Sequence, residues 1–92
     1  MRCATTAIAA LVPRQRSRVA GDIQSVASFE RPWVRTDAVL VDGTGALILR
    51  FLGRSSVPGM AAGARVFVEG MASLECGDLL MRNPLYSFAV AE

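Results

Sequence analysis

A chain of 92 residues has room for one domain, and with 52% hydrophobic against 20% charged residues it has the composition of a folded chain, not a disordered one. Ten basic and eight acidic residues leave a net charge of +2, too small a surplus to mark a nucleic-acid binder by charge alone, so the distribution of charge must carry any such argument. His is absent, which excludes His-dependent triads, His general acid–base catalysis and the usual His metal sites.

Thr5 and Thr6 can cap a helix, Ile8, Leu11 and Val12 follow at i, i+3, i+4 spacing, and Pro13 stops the run. The pattern predicts a short N-terminal helix that plugs an open end of the core. Met1 to Val12 has the outline of a signal peptide, but the apolar stretch is short and lacks a small-x-small cleavage site before Arg14. Residues 1–17 are read as N-terminal helix and linker, and 18–92 as the domain proper.

From Arg18 the signature changes to alternation, and the rest reads as all-β. A first strand is expected over Arg18 to Phe29, with Val19 and Ile23 inward and Gly21 at a bend or bulge. Glu30-Arg31-Pro32 breaks it. A second strand, Trp33 to Val41, puts Val34, Ala38 and Leu40 on one face and Trp33, Arg35, Asp37 and Val39 on the other. Asp42-Gly43-Thr44-Gly45 is a tight hairpin turn. The third strand, Ala46 to Gly53, sends Leu47, Leu49 and Phe51 to the core and Ile48, Arg50 and Leu52 outward.

Arg54 to Gly63 is a turn-rich link with room for one short helical turn. The fourth strand, Ala64 to Ser73, points Val66 and Val68 inward and bends at Gly70, and Glu75-Cys76-Gly77-Asp78 makes another hairpin. Leu79 to Asn83 is the fifth strand; Pro84 limits its pairing while Tyr86 and Phe88 continue to the end. Five curled strands describe a small barrel, whose closure hides the edges a flat sheet would expose.

Asp42-Gly43-Thr44-Gly45, Gly63-x-Arg65-Val66-x-Val68-x-Gly70 and Asn83-Pro84-x-Tyr86, in that order and spacing, resemble stand-alone bacterial OB-fold domains. They are also similar to the OB wedge of RecG-type branched-DNA helicases and to the tRNA-anticodon OB group, over about residues 8 to 88. The resemblance implies a five-stranded OB-fold barrel with the short N-terminal helix ahead of it, and nucleic-acid binding.

In such barrels the ligand crosses the outer face of the second and third strands, flanked by the loops joining strands one to two and four to five. The expected register puts Arg35 and Arg50 on that face, with Arg82 from the fifth strand beside them. Phe29, Arg31 and Trp33 supply the first loop, and Arg54 stands at the far end of the third strand. Guanidinium groups beside aromatic planes are what single-strand binding requires, although outward arginines are ordinarily solvated and the aromatics could equally cover a barrel end. Arg14, Arg16 and Arg18 form a second basic cluster, read as phosphate contacts or as a solvated linker.

Other chemistry is poorly served. Gly43-x-Gly45 lacks the third Gly and the helix of a dinucleotide loop, Asp37 and Asp42 point to opposite faces, and Ser55-Ser56 has no base. Cys3 and Cys76 lie far apart without C-x-x-C spacing and read as free thiols in a reducing compartment, which fits a cytoplasmic protein. No enzyme, cofactor, metal site or membrane span is expected. The expected partner is single-stranded or branched nucleic acid. The alternative is a protein-interaction or homo-oligomeric assembly module, because Val39, Val41, Ile48, Leu52, Phe67 and Leu80 put much apolar surface on the outer strands.

Overall fold

A computed structural model describes residues 5–89. Its strands are β1 (Arg16–Phe29), β2 (Arg35–Val41), β3 (Ala46–Leu52), β4 (Arg65–Glu75), β5 (Asp78–Arg82) and β6 (Leu85–Phe88). They make one sheet in the order β1-β2-β3-β5-β4-β6, and β1 also pairs with β4, so the first five strands close into a ring. Every pair is antiparallel except β3 with β5.

Alternation builds the interior. Thr36, Ala38 and Leu40 from β2, Leu47, Leu49 and Phe51 from β3, and Val66, Val68 and Ala72 from β4 are all buried, with Val19, Ile23 and Met81 completing the ring. The second strand starts at Arg35, two residues later than expected, so Thr36 takes the inward place and Val34 is left exposed.

The two longest strands turn the corners. The first half of β1 pairs with β4 and its second half with β2, and where it changes partner a Cβ on Gly21 would stand 2.4 Å from the Val41 carbonyl oxygen. Glycine is required there by the approach of the neighbouring backbone. The irregularity in the β1–β2 register falls later, between Ile23 and Ser25.

The expected N-terminal helix is replaced by a single 3-10 turn, Ile8–Ala10, with extended backbone at Ala7 and Leu11 on either side. Neither Thr5 nor Thr6 caps it, since its N-cap is Ala7 and makes no side-chain bond. Its free donors are met from outside: the Ile8 N–H donates to Asp42 Oδ2 at 2.9 Å and the Ala9 N–H to Thr44 Oγ1 at 3.1 Å. A helical nucleus must order several residues for its first bond, and here the β2–β3 hairpin supplies bonds without that cost. The segment still plugs the core, through Ile8, which packs among the ring's interior side chains.

A sixth strand corrects the expected count of five. Asn83 turns with φ 46°, its N–H bonds the Arg50 carbonyl at 2.7 Å, and Pro84 ends that ladder. The chain then crosses to the first half of β4 and runs beside it, from Glu69 opposite Leu85 to Val66 opposite Phe88. Tyr86 meets Phe51 and Phe88 edge-on, with ring centroids 5.5 and 5.7 Å apart.

The link between β3 and β4 contains turns but no helical segment, and it sends Val57 and Met60 into the core. It is latched by hydroxyls: Thr36 donates to the Arg54 carbonyl at 2.8 Å, Ser28 to the Ser55 carbonyl at 2.8 Å, and the two oxygens lie 3.2 Å apart. Among the described residues no helix is long and apolar enough to cross a membrane.

Candidate functional site

Register brings the predicted arginines together. Asp37 pairs with Arg50 across β2–β3, and Arg50 with Arg82 across β3–β5, so the three stand in one row on the outside of the ring. Arg50 grips Asp37 with both forks, Nε to Oδ1 at 3.0 Å and Nη2 to Oδ2 at 3.1 Å. Arg35, one outward position along β2, reaches the same carboxylate at 3.4 Å. Arg82 pairs instead with Glu75 at 2.6 Å.

The aromatic part adjoins this row. Phe29 pairs with Arg35 across β1–β2, and the Arg35 guanidinium lies 4.4 Å from the centre of the Phe29 ring. Trp33 and Arg31 stand in the connection just beyond, Trp33 61% exposed and Arg31 exposed as well. Arg54 follows shortly after Leu52, the partner of Arg35, so it belongs to the same end of the ring. Arg31 and Arg54 make no ion pair among the described residues.

The two carboxylates that partner these arginines, Asp37 and Glu75, are not among the candidate binding residues. Alternation already put Asp37 on the face of Arg35, and the four-residue Asp42–Gly45 turn sets Asp37 opposite Arg50, so that pair was recoverable; the Glu75–Arg82 bond depends on a diagonal reach across β5. The pairing raises the Arg50 pKa, first through the hydrogen bond to Asp37, against burial, with the charges of Asp37 and Glu75 adding to it. The face therefore offers fixed cations already partnered by carboxylates.

The apolar outer surface is smaller than expected. Val39, Ile48 and Leu80 occupy one row of the register and shield each other, so that Leu80 is 3% exposed although it lies outside the core cluster. Val41 is half-buried, while Leu52 and Phe67 remain exposed. A further apolar group lies on the other side of the ring, where Phe67 and Leu85 line a groove of about 560 Å³ with Arg18, Glu69 and Ser87.

In the second basic cluster, Arg16 and Arg18 donate to the two oxygens of Glu69 at 2.8 and 3.0 Å. The hydrogen bond from Arg16 leads the causes that hold the Glu69 carboxyl below its ordinary pKa, burial opposing and Arg18 adding to it. Asp42 is a turn residue: its Oδ1 accepts from the Thr44 N–H and hydroxyl at 2.9 and 2.6 Å. Burial pushes the Asp42 pKa up, but these bonds and those from the Ile8 and Gly45 N–H groups outweigh it and leave it lowered.

No cluster of three His, Cys, Asp or Glu side chains stands ready for a metal among the described residues. Cys76 is an exposed free thiol in the β4–β5 turn, and Cys3 lies outside the described residues. No family model, no curated protein and no solved structure matches this chain. Any functional reading therefore stands on the geometry of the ring.

Proposed function

We propose that the ring is an OB-fold barrel acting as a non-enzymatic binding module, with single-stranded or branched nucleic acid as ligand across the outer face of β2, β3 and β5. The connectivity supports the fold: a five-strand closure in which β3 passes to a parallel β5 before β4 is the partly closed Greek-key arrangement expected of OB domains. One observation carries the function. Arg35, Arg50 and Arg82, from three different strands, share one face that ends at Phe29, and the exposed Trp33 follows in the connection between Phe29 and Arg35.

The roles differ. Trp33 offers a base an open stacking plane, and Phe29 carries Arg35 against its ring. Asp37 holds Arg50 and Arg35 as positioned forks, while the more exposed Arg82 exchanges Glu75 for a phosphate oxygen. Arg31 and Arg54 add charge beside the aromatics. Binding of this kind is sensitive to salt and weak in sequence preference.

Fluorescence anisotropy with labelled single-stranded DNA and RNA tests this. The expected result is saturable binding at low salt that Arg50→Gln weakens about tenfold, the effect of losing one positioned cationic contact. Absence of binding to either nucleic acid at low salt contradicts the reading.

A second reading, an assembly module, draws support from the exposed side chains of Phe67, Met71 and Leu85 on the β4–β6 side. It predicts a dimer by light scattering that persists at high salt and that Leu85→Glu dissociates.

A further inference from the structure

Arg82 belongs to two neighbourhoods. On one side it pairs with Arg50; on the other it lines, with Arg14, Arg16, Met71, Asn83 and Leu85, a groove of about 540 Å³ that crosses β4 toward the start of β1. The register explains the continuity. Arg16 pairs with Met71 across β1–β4, and Ala72 pairs with Met81 across β4–β5, which brings Met71 beside Arg82. Paired residues project to the same side of a sheet, so Arg16, Met71, Arg82, Arg50 and Asp37 form one outward row around the ring. With strands about 4.8 Å apart, Arg16 lies three strands, about 14 Å, from Arg50.

We propose that this groove is a second subsite for the same nucleic-acid strand, in which Arg14 and Arg16 take phosphates while Met71 and Leu85 carry sugar or base surface between them. The proposal rests on the reading of the β2–β3–β5 face given above. Charge complementarity supports it: Arg14 makes no ion pair among the described residues, and the groove's three arginines, Arg14, Arg16 and Arg82, face one lining carboxylate, Glu69. The Arg14 backbone is anchored beside the groove, since its main-chain N–H donates to the Ala72 carbonyl on β4 at 2.8 Å. The groove's floor is apolar and open, with Met71 55% and Leu85 63% exposed, surface on which a flat base or sugar can rest. The ligand would run from the stacking plane at Trp33, over Arg35, Arg50 and Arg82, and across β4 to Arg14.

Length of ligand separates the two subsites. Oligothymidylates of about 4 and about 12 nucleotides, within the span of site sizes that OB domains show, are titrated against the wild-type protein, Arg50→Gln and the double variant Arg14→Gln/Arg16→Gln, each checked for folding by circular dichroism. The double variant is expected to lose about tenfold in affinity for the longer ligand, to bind the shorter one as wild type does, and to lower the salt slope for the longer one by about 1.4, two phosphate contacts on a single strand. Arg50→Gln is expected to weaken both lengths. If the double variant keeps wild-type affinity and slope on the longer ligand while Arg50→Gln weakens both, the groove subsite is overturned and the face reading stands. If the wild-type protein binds neither length, nor oligouridylates of the same lengths, both are overturned.

Discussion

Asp37 sits between two arginines, close enough to bond both, and a carboxylate in that place competes with any phosphate approaching Arg50. Replacing it with Asn removes the charge and keeps the shape. Asp37→Asn is therefore expected to tighten single-strand binding severalfold at low salt, the opposite of Arg50→Gln, as read by the same anisotropy titration. Weaker binding in Asp37→Asn would mean that orienting the guanidinium groups outweighs competition for them. Asp42 has a different task, joining the β2–β3 turn to the N-terminal plug through Thr44 and the Ile8 N–H. Its pKa is lowered in the folded state, so its contribution is fully present above the ordinary Asp value of about 3.9 and is lost as pH falls through the lower folded value. Asp42→Ala should cost about 1–2 kcal/mol in urea unfolding at pH 7, with a smaller difference from wild type at pH 3.

Corners and latches set how the strands meet. Gly21→Ala would put a methyl group against the Val41 carbonyl, a backbone atom that cannot swing aside, and the expected loss is about 3 kcal/mol in the same unfolding assay. Thr36→Val keeps the shape of a buried side chain but leaves the Arg54 carbonyl without its donor, which should cost about 1–3 kcal/mol. The interior rows of β2, β3 and β4 were legible in the sequence because alternation and the Asp42–Gly45 and Cys76–Gly77 turns fix the register, and a slip by one residue would bury Arg50. The N-terminal turn and β6 were not. Apolar spacing from Ile8 to Val12 cannot reveal that Asp42 and Thr44 satisfy the Ile8 and Ala9 donors, and the Pro84 break looks the same whether the chain ends its pairing or crosses to β4. Both were decided by contacts distant in sequence.

As a whole, the molecule is a closed ring whose arginine row turns around it while an aromatic edge projects beside it. The candidate face was readable as a set of positions, since Phe29, Arg35, Arg50 and Arg82 do meet on one side, but its charge balance was not, because Asp37 and Glu75 take up much of that cation charge within the fold. Trp33 is the chain's single tryptophan and stands exposed in the connection that leads from Phe29 to Arg35, so its emission reports on that end of the proposed face. The most direct measurement is its fluorescence during titration with unlabelled single-stranded DNA and RNA at low salt. Stacking predicts saturable quenching that added salt reverses. Emission that stays constant through both titrations would contradict the proposed interface.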